Sequence, residues 1–195
     1  MRKAEAKRNT KETKITAKLN LDGTGKSKID SGSGFLDHML TLFASHSRID
    51  LELKCTGDTE VDFHHTTEDI GIVLGSLFKE ALGDKKGIKR YGFFVLPMDE
   101  SLILSAIDFS GRACLKYDTS IRAKKVGEFD TELAEEFWEA FVRKAECNLH
   151  IKQLEGRNSH HIIEGCFKSV ARSIREAISI DEAFKDEIPS TKGVL

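Results

Sequence analysis

The sequence predicts an α/β chain of the α+β type that is internally duplicated, each half a roughly four-stranded sheet with two helices packed on one face. Three observations carry this. His-His-Thr-Thr-Glu at 64–68 returns as His-His-Ile-Ile-Glu at 160–164, 96 positions later. After each copy, apolar residues recur at i, i+4, i+7 and i+8, which is one face of a helix: Leu74, Phe78, Ala81 and Leu82, then Val170, Ile174, Ala177 and Ile178. Ahead of each copy, short segments alternate apolar with polar, as half-buried strands do.

The elements follow in order. A strand opens at Glu12 and runs through Leu19-Asn20-Leu21; its counterpart opens at Glu100 and runs through Ile107-Asp108-Phe109, at an offset of 88. Asp22-Gly23-Thr24-Gly25 then has the chemistry of a hairpin turn. A helix carrying Met39, Leu40 and Phe43 matches one carrying Phe137, Trp138 and Phe141 at an offset of 98. Ile49–Lys54 reads as a strand, with Leu51 and Leu53 matched by Leu149 and Ile151. The drift in offset marks small insertions, which loops tolerate. Gly83–Arg90, rich in Gly, Lys and Asp, divides one compact unit into a first repeat with an N-terminal arm (1–88) and a second with a C-terminal tail (89–195). Neither Pro97, near the seam, nor Pro189, in the tail, interrupts an element.

Composition narrows the function classes. At about 150 residues per domain, 195 residues lie between one large domain and two small ones. The 39% of hydrophobic residues can bury a core, and 32% charged residues suit a soluble surface. A net charge of −2 gives no reason to expect nucleic acid or an anionic membrane as partner. Met1–Thr10 is basic but lacks the apolar segment of a secretory signal. No run approaches the roughly 18 apolar residues of a membrane helix. Cys55, Cys114, Cys147 and Cys166 form no Cys-x-x-Cys pair and read as reduced thiols, which places the protein in the cytoplasm.

The histidines point to metal chemistry. On a helix, residues three or four apart share a face, whereas neighbours diverge by about 100°. Either His64 or His65 can therefore grip an ion together with Glu68, and the other must point elsewhere. The same holds for His160, His161 and Glu164, so each motif is built to serve two ions rather than one. The repeat nominates the missing partners: His38 lies ahead of His64, and Glu136 stands at the matching position ahead of His160. Imidazole with carboxylate suits a divalent first-row metal such as Mn, Fe or Zn. A lone copy of this motif is more often a solvated helix terminus; two copies in register are not. His46 at the end of a helix pattern fits a C-terminal cap. His150, on the opposite face of a strand from Leu149 and Ile151, reads as a solvated position and is not assigned to metal.

Arg90, Arg112 and Lys168 lie beside the motif-bearing elements, and the tail reads Pro189-Ser190-Thr191-Lys192-Gly193. Arg offers a planar fork to phosphate, and Ser and Lys add donors. Taken singly, each is more often a surface charge or a frayed terminus. Glu12 and Asp99-Glu100 occupy corresponding starts of the two halves, where a carboxylate is either a general base or an edge-strand charge. Two readings compete, a metal-dependent lyase or hydrolase of another kind on this duplicated scaffold and a non-catalytic metal-binding assembly protein, and the second has no need of these phosphate-type residues.

Several segments together resemble the imidazoleglycerol-phosphate dehydratases. They are Gly34-Phe35-Leu36-Asp37-His38-Met39-Leu40, His64-His65-Thr66-Thr67-Glu68-Asp69, Pro97-Met98-Asp99-Glu100, Ser110-Gly111-Arg112, Gly156-Arg157-Asn158-Ser159-His160-His161-Ile162-Ile163-Glu164 with Phe167-Lys168, and the tail. The resemblance runs from about Arg8 to Gly193 and is to the monofunctional form. It implies two manganese ions per active site, with His38, His64, His65, Glu68, Glu136, His160, His161 and Glu164 as the matching ligand positions. It maps phosphate binding onto Arg90, Arg112, Lys168, Ser190 and Lys192, and places Glu12 and His46 near the glycerol chain and imidazole of the substrate. It also implies a large octahedral homo-oligomer, roughly 24 subunits, with active sites between subunits.

The implied reaction removes water from D-erythro-imidazole glycerol phosphate to give imidazole acetol phosphate in histidine biosynthesis. A metal-bound imidazolate assists loss of the hydroxyl, and a carboxylate, Glu12 or Glu164, takes the carbon proton. Four residues at three places depart from the pattern: Phe63 before the first His pair, Glu136 where some members have His, and Phe93-Phe94 before Pro97.

Overall fold

A computed structural model of the protein describes residues 2–195. The first half contains β1 (Lys3–Asn9), β2 (Thr13–Asn20), β3 (Ser27–Asp30), α1 (Gly34–Ser47), β4 (Asp50–Gly57) and α2 (His64–Leu82). The second contains β5 (Tyr91–Met98), β6 (Ser101–Asp108), β7 (Cys114–Asp118), the two-residue strands β8 (Lys125–Val126) and β9 (Phe129–Asp130), α3 (Leu133–Ala145), β10 (Asn148–Glu155) and α4 (Ser159–Ala177). Two four-stranded sheets result, in the orders β1-β2-β4-β3 and β5-β6-β10-β7, with β8 and β9 as a separate ribbon. In each sheet one strand runs parallel to its neighbour, β3 beside β4 and β7 beside β10, and the remaining pairs are antiparallel. The duplicated α/β architecture expected from the sequence is present.

Period-two alternation explains the sheets. Ile15, Ala17 and Leu19 of β2 and Leu51, Leu53 and Cys55 of β4 are buried, whereas Lys14, Thr16, Lys18, Glu52 and Lys54 face outward. Ile103 and Ile107 of β6 and Leu149 and Ile151 of β10 do the same for the second sheet, with His150 exposed on its outer face. Each sheet is covered by the helices of its own half, α2 along β1 and β2, and α4 along β5 and β6. The helix layers then pack on each other, α2 along α3 and α1 along α4. Phe43, Phe78, Phe137, Trp138, Phe141 and Phe167 fill the space between and are fully buried. Gly71 and Gly75 let α2 approach the α3 backbone: a Cβ on Gly71 would lie 2.6 Å from the Phe137 carbonyl oxygen. Among the described residues no helix is long and apolar enough to cross a membrane.

Two local readings differ from the structure. Asp22–Gly25 is a turn, but it does not close a hairpin, because β4 lies between β2 and β3. Asp50 explains the geometry: its Oδ1 accepts from the backbone N–H of Thr24 at 2.8 Å and of Lys26 at 3.0 Å, tying the turn to the start of β4. The true hairpin precedes it. β1 pairs with β2 from Lys3↔Asn20 to Asn9↔Lys14, inside the segment read as an arm. The inward residues of β1 begin with Ala4 and Ala6, whose apolar signal is too weak to mark a strand among so many charges. Pro97 sits inside β5, where an edge strand tolerates the missing N–H.

Candidate metal centre

Both histidine pairs open a long helix, and a short polar side chain caps each one. Asn158 Oδ1 accepts from His160 N at 2.9 Å and His161 N at 3.3 Å. Asp62 Oδ1 accepts from His64 N at 2.7 Å, so the residue before Phe63 does the capping and Phe63 packs against the core. The caps fix the first turn, and adjacent rings then stand nearly perpendicular: 88° between His64 and His65, and 84° between His160 and His161. The divergence expected from helix geometry is realised at both motifs.

One member of the second pair joins a cluster. His160 Nε2 lies 3.1 Å from Glu164 Oε2, one turn along α4, and His38 Nε2 of α1 lies 3.2 Å from the same oxygen. Ligand atoms of His38, His160 and Glu164 all fall within 4.8 Å of one another, the only such group of three among the described residues. Lys168 Nζ approaches the other oxygen, Glu164 Oε1, at 3.3 Å. Burial pushes the Glu164 carboxyl up, but hydrogen bonds from Lys168, His160 and His38 outweigh it and hold the group below the usual carboxylate range. Two imidazoles and a buried carboxylate converging from two helices form a donor set that fits a divalent first-row cation.

The other member of each pair turns to a different carboxylate. His161 Nδ1 lies 2.7 Å from Glu100 Oε2, with its Nε2 3.7 Å from Asp99 Oδ2. His65 Nδ1 lies 2.9 Å from Asp58 Oδ2, with its Nε2 3.7 Å from Glu12 Oε1. These hydrogen bonds raise both imidazole pKa values, Asp58 acting on His65 and Glu100 on His161. In turn the His161 hydrogen bond, helped by the N–H groups of Asn158 and Arg157, lowers Glu100 to about 2. Asp58 had no signal in the sequence, because its counterpart by the repeat is Gly156.

The repeat equivalents of His38, His160 and Glu164, which are Glu136, His64 and Glu68, do not gather among the described residues. Glu68 pairs with Arg143 of α3 at 2.8 Å instead of with a histidine. His64 and Glu136 are half-buried on α2 and α3, outside any three-ligand cluster among the described residues.

The cationic residues form two groups. Lys168 belongs with Glu164, and His46, near the end of α1, feels its field: burial, then the charges of Lys168 and Arg172, lower the His46 pKa. Arg90 sits at the linker between the halves, its Nε and Nη2 on Asp108 at 2.7 and 3.1 Å and its Nη1 on the Pro189 carbonyl at 2.9 Å. The tail is stitched to the same linker by Gly87 N to Glu187 O and Asp181 N to Gly87 O. Ser190 Oγ accepts from Lys192 N within the tail, and Arg112 is exposed on the Ser110–Arg112 turn.

A groove of about 510 Å³ opens onto His38 and His160, bordered by Gly32, Phe35, Phe63 and Phe129. Its size suits a small molecule. A slightly larger hollow of 560 Å³ lies on the first sheet among Lys3, Glu5, Lys18 and Glu52, away from every histidine, and lacks convergent ligands.

Fold and site define a duplicated α/β protein that presents histidine–carboxylate clusters at the N-termini of its two long helices. Comparison with known proteins gives that class a family. The profile of the family described as Imidazoleglycerol-phosphate dehydratase matches residues 31–174. The enzyme of that name from Xanthobacter autotrophicus is 56% identical over 195 residues, covering 100% of this chain and 99% of its own. That from Exiguobacterium is 56% identical over 193 residues, covering 99% and 98%. Among solved structures, the Staphylococcus aureus enzyme superposes with a TM-score of 0.84 at 41% identity, covering 92% of this chain and 99% of its own. The Pyrococcus furiosus structure, in complex with (S)-C348, gives 0.84 at 37% identity, covering 97% and 100%. The chain belongs to the imidazoleglycerol-phosphate dehydratase family, hydro-lyases of histidine biosynthesis.

Proposed function

We propose that the chain is a manganese-dependent dehydratase of the cytoplasm that converts D-erythro-imidazole glycerol phosphate to imidazole acetol phosphate and water. The observation that carries the metal reading is the convergence of His38, His160 and Glu164 on one point beside the groove. Bound divalent metal would supply Lewis acidity toward the imidazole and a neighbouring hydroxyl, the groups that must gain electron demand before water can leave.

The protein residues supply the rest. Glu164 is committed to two imidazoles and Lys168 and is a poor base. Glu12, half exposed beside His65 Nε2, is free to take the carbon proton. His46, kept toward its neutral form, offers a hydrogen bond rather than a charge. Lys168, Arg112, Ser190 and Lys192 hold the phosphate end. Arg90 spends three of its five donors on Asp108 and the Pro189 carbonyl, which anchors the tail and leaves two for phosphate.

His64, His65, Glu68, Glu136 and His161 would complete a pair of manganese sites together with ligands from another copy, in a large homo-oligomer of octahedral form. The support is that Glu68 and Glu136 do not close a cluster of their own among the described residues.

The direct test is turnover. Manganese-loaded protein is expected to form imidazole acetol phosphate, and protein stripped with a chelator is expected to lose that activity and regain it on adding the metal back. No product at saturating manganese would end the assignment. Glu12→Gln separates the two base candidates: turnover is expected to fall by about 10²–10⁴-fold with manganese content unchanged. Normal turnover in this variant would remove Glu12 from the chemistry.

A further inference from the structure

The duplicated motif has an asymmetry that concerns the histidines outside the three-ligand cluster. His65 and His161 occupy equivalent positions, and each directs Nδ1 at one carboxylate at hydrogen-bond distance and Nε2 toward a second at 3.7 Å. The carboxylates come from different places in the two halves. For His161 the Nδ1 partner is Glu100, from the two-residue turn between β5 and β6. For His65 the residue equivalent to Glu100 is Glu12, yet Glu12 faces Nε2, and Asp58 at the end of β4 takes Nδ1. The turn between β1 and β2 is one residue longer, which re-aims the carboxylate that follows it.

An imidazole whose Nδ1–H donates to a carboxylate has its proton fixed there, its ring orientation set, and its Nε2 lone pair exposed. We infer that Asp58 and Glu100 are positioning residues, each locking one histidine with its proton on Nδ1 so that Nε2 of His65 and of His161 is presented to metal. Glu12 and Asp99 stand on the open side of the rings, and Glu100 is doubly engaged, since its Oε1 also accepts from Arg157 N at 3.2 Å and Asn158 N at 2.7 Å. One copy of an originally equivalent carboxylate has thus become a structural clamp, and the other is left free for proton transfer. Asp58 replaces the clamp that Glu12 no longer provides.

This inference rests on the metal reading above, and the experiment keeps the two apart. Manganese binding to the stripped, assembled protein is followed by the loss of the free-ion EPR signal, with circular dichroism as a fold control. Asp58 is the decisive position, because among the described residues its side chain bonds only His65, whereas Glu100→Ala also removes a clamp on the loop ahead of α4. Asp58→Ala is expected to weaken manganese binding about 10–100-fold, and Asp58→Asn, whose amide oxygen still accepts from Nδ1–H, to recover most of the loss. In a His65→Ala background, Asp58→Ala is expected to add nothing, since the residue acts through that ring. An additive loss in the double variant, or wild-type affinity in Asp58→Ala, would overturn the inference while leaving the metal reading intact. Failure of the wild-type protein to bind manganese at all would overturn both.

Discussion

Glu164→Gln is expected to abolish dehydratase activity and to lower manganese affinity by more than a hundredfold, the largest functional effect of any single change in the chain. Glu164 is 8% exposed on its side chain and is where three side chains from two helices meet: His38 from α1, and His160 and Lys168 from α4 itself. Groups that merely orient a ligand already cost about 10–100-fold when removed, so loss of a carboxylate that the proposed site would use as a ligand, and that also aligns two imidazoles, is expected to cost more. The amide cannot neutralise Lys168, and its NH2 group would point a donor at an imidazole or an ammonium that needs an acceptor. The fold is expected to survive, because the surrounding core residues Ile162, Ile163, Cys166 and Phe167 are untouched and fully buried. Manganese binding by EPR titration and turnover at several metal concentrations check this. A variant whose activity returns fully at high manganese, with wild-type affinity, would place the metal elsewhere.

How much of this was legible in the sequence depends on the distance over which each signal acts. The long helices, the central strands and the duplication were readable because apolar periodicity over 8–19 residues is a strong local pattern and appears twice. His38 was also readable, since the offset between halves marked it before any contact was known. β1 was not, because alanines at Ala4 and Ala6 carry little hydrophobic contrast. The pairing order of β2, β3 and β4 was not, because a good turn sequence at Asp22–Gly25 says nothing about which strand slides between its arms. Asp58 illustrates the deeper limit: it breaks the repeat, and only the fold brings it 2.9 Å from His65. Glu68 shows the converse. The repeat equates it with Glu164, but Arg143 on the neighbouring helix engages it, and the sequence offset carries no information about that cross-helix partner.

Trp138→Ala is expected to have the largest effect on stability, about 3–5 kcal/mol, lowering the thermal midpoint by roughly 10 °C at fixed protein concentration. Trp138 is fully buried on α3 and touches rings from two other helices, Phe43 of α1 with centroids 6.0 Å apart and Phe167 of α4 at 4.8 Å, besides Phe137 and Phe141 on its own. Truncation removes that contact area and opens a cavity where helices of the two halves meet, and rigid flanking aromatics cannot collapse to fill it. Trp138→Phe separates packing from polarity. Among the described residues nothing accepts from the buried indole Nε1, so its removal relieves that donor while most of the aromatic contact remains. This variant is therefore expected to lose less than half as much as the alanine variant, measured by far-UV circular dichroism melts run side by side. Equal losses would mean that the N–H has a partner, an ordered water or a neighbouring group, and that the site is held by that bond as well as by packing. The same melts with and without manganese add a further check. Phe167 follows Glu164 on α4, so if the proposed site takes manganese, a core loosened at Trp138 is expected to weaken the stabilisation that the metal would give.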